Sequence, residues 1–157
     1  MASELLLALY RGDEAAAEEI LAANPELDVF EAAAAGRADR LRELVDEDPS
    51  LVNAWAADGF QPLGLASFFG HADAARVLLE HGAEVNSASR NNFKVMPLHS
   101  AAATSDPEAR YAIAKLLLEH GADPNARQQD DFTPLMAADQ HGDVRLRELL
   151  VQHGATA

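Results

Sequence analysis

The side chains best suited to chemistry in this sequence are its six histidines: His71, His81, His99, His120, His141 and His153. Imidazole can ligate a metal or move a proton near neutral pH, so their spacing decides what they could do. His81, His120 and His153 recur inside "EHGAE", "EHGAD" and "QHGAT", 39 and 33 residues apart. Side chains at one position of successive stacked units stand roughly 10 Å apart, the spacing of packed helices. A shared metal needs bonds of about 2 Å. The expected role is therefore structural, each ring satisfying backbone groups near a helix end. His71 and His141 flank Gly70 and Gly142 and need no further explanation. There is no cysteine, which removes thiolate ligands, disulfides and thiol nucleophiles. No nucleophile comes with a paired base and no glycine-rich phosphate loop occurs; the doublets Glu47-Asp48 and Asp130-Asp131 read as loop solvation. The expectation is a protein with no catalytic, metal or cofactor residues, and so not an enzyme.

The elements that carry these residues are constrained by the bulk composition. A chain of 157 residues is one domain, long enough for a core without metal or disulfide staples. Its apolar fraction of 48% is globular, and much of it is alanine, which favours thin, closely packed helices. The net charge of −14 argues against nucleic acid and against an anionic membrane surface. Residues 1–50 hold 13 of the 26 acids against four arginines; this reads as a solvated helix surface ahead of a dock for a basic partner. The start "MASELLLALYRGDE" has no basic stretch before its short apolar run, and nothing is long enough to span a bilayer. A cytoplasmic monomer is expected.

Self-similarity then organises the chain. "HGAEVN" (81–86) returns as "HGADPN" (120–125), and a Pro-Leu pair leads each unit at Pro62, Pro97 and Pro134. Proline to histidine spans 19 residues in the first and last units and 23 in the middle one. Each proline starts a first helix, with Thr133 a good N-cap and Gln61 and Met96 poorer ones. Gly70 or Gly142 ends that helix, and Gly82, Gly121 and Gly154 end the second. The last helix carries Arg145, Arg147 and Gln152, polarity suited to an exposed C-terminal end.

These anchors resemble the ankyrin repeat family, whose T-P-L-H-x-A signature survives as "MPLHSA" (96–101) and "TPLMAA" (133–138). The resemblance is close over residues 55–157 and looser before them. It implies an all-α solenoid of stacked helix-turn-helix units joined by β-hairpin-like loops. The expected divisions are 3–27 as an N-terminal capping helix pair, 28–54 a degenerate repeat, 55–87 a repeat, 88–126 a repeat with insertions, and 127–157 a C-terminal capping repeat. The Ala- and Arg-rich, Lys-poor composition has a bacterial character. In the family, the position of His99 bonds across the hairpin base, and Met96 here replaces the customary threonine partner. Asn86 and Asn125 resemble hairpin asparagines that are hydroxylated in some members, although their turn-forming role is sufficient.

The family also implies a non-enzymatic module that binds a protein partner on a concave face of hairpin tips and inner-helix ends. Carried over by position, that face comprises Trp55, Asp58, Phe60, Phe68 and Phe69, then Arg90, Asn91 and Phe93, then Arg127, Asp130 and Phe132. "DGFQPL", "NNFKVMPL" and "DDFTPL" align Phe60, Phe93 and Phe132 as a ladder, with Lys94-Val95 inserted after Phe93 and "SDPE" (105–108) lengthening the loop between helices. Ladder rings serve rigidity and binding about equally well. Trp55, Phe68 and Phe69 favour binding, or else Phe68 or Phe69 turns back over the degenerate repeat. An enzyme-accessory or small-ligand protein with an aromatic pocket near Trp55, Phe68 and Phe69 is the alternative, and self-association through that patch a third reading.

Overall fold

The computed structural model describes residues 3–23 and 25–156. The expected capping pair includes Asn24 and the expected last unit includes Ala157; both lie outside the described residues, as do Met1 and Ala2. The described chain forms five helix pairs: α1 (Glu4–Arg11) with α2 (Glu14–Ala22), α3 (Val29–Ala34) with α4 (Ala38–Glu47), α5 (Pro62–Phe68) with α6 (Ala72–Glu80), α7 (Pro97–Ala102) with α8 (Pro107–Glu119), and α9 (Pro134–His141) with α10 (Val144–Gln152). Short 3-10 turns cover Pro49–Asn53 and Gln129–Asp131, and there is no strand among the described residues.

Local chemistry sets these limits. Pro62, Pro97, Pro107 and Pro134 occupy first turns, where the missing N–H costs nothing. Ser3, Asp13, Asp28, Asp106, Thr133 and Asp143 each accept a first-turn N–H through the side chain, and Asp28 forms a reciprocal capping box with Glu31. As expected, Gln61 makes no such bond.

The first helix of each pair stacks on its neighbours, α1 on α3, α3 on α5, α5 on α7 and α7 on α9; the second helices α4, α6, α8 and α10 stack in a parallel row. Fully buried Ala32, Ala33, Ala66, Ala101 and Ala138 lie along the inner row, where small side chains bring the backbones close. Leu41, Val45, Leu78, Ile113, Leu117, Leu146 and Leu150 fill the space towards the outer row. Each buried leucine removes apolar area worth about 1.5–3 kcal/mol.

Hydrogen bonds fix the register between units. Asn53 donates from Nδ2 to the Gly82 carbonyl (3.4 Å) and accepts the Glu84 N–H (2.9 Å). Asn86 does the same to Gly121 (3.0 Å) and Asp123 (2.8 Å), and Asn125 to Gly154 (3.0 Å) and Thr156 (2.9 Å). His81, His120 and His153 share one role: Nδ1 donates to the carbonyl four residues earlier, at 2.7, 2.8 and 2.9 Å. His99 accepts the Met96 N–H at Nδ1 (3.3 Å) and donates from Nε2 to the Ala126 and Phe132 carbonyls (3.0 and 3.1 Å). The bond across the hairpin base thus forms without a threonine partner.

The middle pair departs from the expected loop. α8 has 13 residues, against nine in α6 and α10, because the inserted "SDPE" stretch supplies the N-cap and the first two residues of an extra N-terminal turn of helix. Asp106 caps that turn and Pro107 starts it, which is why these residues extend a helix and not a loop. The turn brings in Arg110, buried, which donates to the Thr104 carbonyl (2.9 Å) and to Asp143 of the next pair (2.8 Å). Burial would raise the Asp143 carboxyl, but the Leu146 N–H and then Arg110 hold it below its ordinary value.

Two outcomes follow. Arg110→Met leaves the Asp143 carboxylate nearly buried without its cation and is expected to cost about 3 kcal/mol. Arg145→Met, which breaks the exposed contacts to Glu108 and the Tyr111 ring, is expected to cost about 1 kcal/mol or less. Thermal unfolding orders the two, at about 2–4 °C per kcal/mol for this size; equal costs would place little energy in the buried pair.

The second outcome concerns pH. Burial lowers the His71 and His99 values, opposed in part by the carbonyls they face. The unfolded chain takes up protons at the ordinary 6.5 while these two stay neutral. Their contribution is whole above that value and declines as pH falls towards their folded values. His81 runs the opposite way: the Val77 carbonyl, then Asp46 at 2.8 Å, raise its value, and its contribution is lost as pH rises through it. His99→Gln should flatten the acid-side decline of Tm between about pH 7 and 5; an unchanged slope would assign the sensitivity to other groups.

Candidate functional site

Three loops precede the inner helices α5, α7 and α9, and each closes with one backbone bond. The Ala56 N–H donates to Phe60 (2.8 Å), Ser89 to Val95 (2.8 Å) and Gln128 to Phe132 (3.0 Å). Phe60, Val95 and Phe132 are therefore equivalent, each two residues before the helix-starting proline. This corrects the expected ladder: Phe93 is not the counterpart of Phe60 and Phe132, because the two extra residues enlarge the loop tip ahead of Val95. The residue before each equivalent position confirms the register, for Gly59, Lys94 and Asp131 all have positive φ, at 89°, 52° and 58°. Asn92, which precedes Phe93 as Gly59 precedes Phe60, is not among the positive-φ residues. Phe60 and Phe132 are half-buried against the core, whereas Phe93 stands 58% exposed at its tip.

The tips bond to one another as well. Arg90 N–H donates to the Gly59 carbonyl (2.8 Å), Gln129 N–H to the Phe93 carbonyl (2.9 Å), and the Asn91 side chain to the Asp58 carbonyl (3.2 Å). A Cβ on Gly59 would stand 2.5 Å from the Arg90 carbonyl oxygen, so both its φ and this approach require glycine. Trp55 is half-buried with the Arg90 guanidinium 4.0 Å from its ring centroid, so one face of the indole is covered from within the chain. Arg127 is exposed and pairs with Asp131 at 3.6 Å, and Asp130 is exposed with φ 61°.

At the inner-helix ends the aromatic residues assemble around one that the sequence reading missed. Tyr10, at the end of α1, lies 5.4 Å from the Phe69 ring, and Phe68 meets Phe69 edge-on at 5.0 Å. The Tyr10 hydroxyl donates to Asp58 Oδ2 at 2.7 Å, while Asp58 Oδ1 accepts the Phe60 N–H. Burial, then the Asp58 hydrogen bond and charge, push the Tyr10 phenol well up. Phe69 is the ring that turns back towards the N-terminal pairs; Phe68 remains 44% exposed. The signal for Tyr10 was present: it stands two residues before Gly12, as Phe68 stands two before Gly70.

A cleft of about 420 Å³ opens beside these rings, lined by Tyr10, Phe68, Phe69, Ser105 and Asp106 among others. Trp55 does not line it, so the expected grouping of Trp55 with Phe68 and Phe69 divides between cleft and hairpin. No group of three or more metal-ligating side chains comes together among the described residues.

Comparison with known proteins adds the family. A family model described as ankyrin repeats (3 copies) matches residues 5–89 and 87–157. The chain is 44% identical over 61 residues to the serine/threonine-protein kinase VIK of Arabidopsis thaliana, covering 39% of this chain and 14% of that protein. It is 34% identical over 90 residues to the DNA-binding protein RFXANK of Homo sapiens, covering 57% and 34%. The chain thus spans about a seventh and about a third of the length of these curated relatives. Among the described residues no helix is long and apolar enough to cross a membrane. With its helix pairs stacked in two rows and nearly its whole length matched, the chain belongs to the ankyrin repeat family, whose repeats mediate protein–protein interaction.

Proposed function

We propose that this protein is a non-enzymatic interaction module that binds a protein partner on the face formed by its hairpin tips and inner-helix ends. One observation carries the reading: Phe68 is exposed yet held in place, edge-on to Phe69, which in turn packs on Tyr10. Tyr10 is anchored by its 2.7 Å bond to Asp58. An aromatic ring fixed before a partner arrives loses little conformational entropy on binding, which is the usual property of an interface anchor. Arg90, Asn91 and Phe93 continue the surface, and Arg127 and Asp130 extend it to the last hairpin, where Phe132 supports the tip from beneath. Asp130, Asp131 and the other exposed acids favour a partner of basic or mixed charge.

The two relatives, by name a kinase and a DNA-binding protein, are much longer proteins matched over 14% and 34% of their lengths. For this chain the net charge of −14 opposes direct contact with phosphate backbones.

Phe68→Glu is expected to cost about 1 kcal/mol, since the ring is 44% exposed and what it loses is its edge-on contact with Phe69. It is expected to abolish partner capture. Affinity capture with mass spectrometry, wild type beside Phe68→Glu, reads the binding and thermal unfolding reads the fold. Trp55→Ala is the less clean probe, because it also removes the Arg90 contact. An identical capture profile for Phe68→Glu would move the interface off this face, and a large drop in Tm would make the ring part of the core.

A further inference from the structure

The outer row of helices starts at α4, because α2 packs on α1 and makes little contact with α4. The first pair therefore meets the array chiefly through α1, whose Leu5, Leu6 and Ala8 are buried, whereas on α2 only Ala17 is. Every later pair stacks through both of its helices, from α3 and α4 on α5 and α6 to the last pair. After α2, Ala23, Pro25 and Glu26 are exposed. The chain is next fixed at Leu27, which is buried and whose carbonyl accepts from Arg40 Nε at 3.1 Å.

Hydrogen bonds show the same contrast. The amides of Asn53, Asn86 and Asn125 tie each later pair to the next, and Arg110 adds a bond to Asp143. Among the described residues of the first pair, 3–23, a single hydrogen bond reaches the rest of the chain: the Tyr10 hydroxyl donates to Asp58 Oδ2 at 2.7 Å. It passes over α3 and α4 and ends on the hairpin before α5. The Tyr10 ring packs on Phe69 beside it, 5.4 Å between centroids. One side chain thus joins the first pair to the third across the pair between them.

We infer that the first helix pair is a hinged cap and that Tyr10 is the clasp holding it closed. The cap swings about the connection ahead of Leu27, and α1 and α2 move together because they pack on each other. Opening lifts α1 off α3 and takes Tyr10 away from Phe69 and Asp58. The row of Tyr10, Phe69 and Phe68 therefore exists only in the closed form, and the molecule has two surfaces in place of one. A partner seated on Tyr10 and Phe68 would pull the cap closed. That consequence rests on the binding face proposed above, whereas the cap itself does not.

Hydrogen exchange, read segment by segment on the whole chain with no partner present, tests this. The amides of α1 and α2 are expected to exchange as one unit, roughly tenfold faster relative to their intrinsic rates than those of α9 and α10. Tyr10→Phe keeps the ring and removes the hydroxyl. It should speed α1 and α2 by roughly a further fivefold and leave α7 to α10 unchanged. Tyr10→Ala removes the ring as well and should speed them more. Equal protection of the first and last pairs overturns the inference, because both are ends of the described stack and a general end effect would open them alike. So do different rates for α1 and α2, an unchanged rate in Tyr10→Phe, and acceleration spread over the whole chain. Partner capture is a separate readout: its failure would move the binding face and leave the exchange rates as they are.

Discussion

Stacking in this molecule depends on a primary amide used the same way three times. A helix leaves carbonyls unpaired at its C-terminal end, and the outer helices end at Gly82, Gly121 and Gly154 in the left-handed conformation. Asn53, Asn86 and Asn125 each give their Nδ2 donor to that glycine carbonyl and accept the N–H two residues further on. One donor and one acceptor on a rigid plane fix both the distance and the rotation of the next unit. A hydrophobic contact alone fixes neither, because it is not directional. With the step set, alanine suffices at the inner contacts, and a larger side chain there would force the helices apart.

The same step explains why Tyr10 can take part in the candidate site. α3 lies between α1 and α5, and it is entered from the Asp28 capping box with no hairpin before it. Measured back from Gly36, Ala34 and Ala35 stand where Phe68 and Phe69 stand before Gly70. Nothing on this pair rises between its neighbours, so the Tyr10 ring reaches Phe69 and its hydroxyl reaches Asp58. The weakest unit in sequence terms is the one whose small residues let the aromatic cluster close.

The repeating skeleton was legible because it rests on local chemistry that recurs in register: proline in a first turn, glycine after a last turn, histidine bonded to its own helix. The arrangement of the middle unit was not. The sequence aligned Phe93 with Phe60 and Phe132 because phenylalanine matches phenylalanine, yet register in a loop is set by the backbone bond that closes it and by which residue adopts positive φ. Lys94 adopts it here, an uncommon choice for a side chain with a Cβ, so no residue preference announced it. Likewise "SDPE" looked like loop, but aspartate followed by proline is also a helix start, and Asp106 and Pro107 serve as one. Of the candidate site, the exposure of Phe68 followed from its place before Gly70. The partnership with Tyr10 depends on the absence of bulk on α3, a property of the pair between them that neither aromatic segment records.

The extra helical turn and the aromatic cluster are physically connected. The Thr104 hydroxyl donates to the Ser67 carbonyl at 2.7 Å and lies 3.2 Å from that of Phe68, at the end of α5 from which the exposed ring projects. Its methyl group stands 3.1 Å from where a Cβ on Gly70 would lie, and the φ of 81° there also favours glycine. Thr104 is itself held by Arg110, which the added turn of α8 supplies, and Arg110 is anchored on Asp143 in the last helix pair. A run of three polar side chains thus ties the backbone beneath Phe68 to the far end of the array. The middle unit lacks the glycine that stands eight residues after the helix-starting proline in its neighbours, with Ser105 at that position and Thr104 just before it. That substitution frees a hydroxyl to bond backwards and needs a buried cation to satisfy the carbonyl it leaves. The insertion thus adds, through Arg110 and Thr104, a polar contact to the inner-helix end from which Phe68 projects.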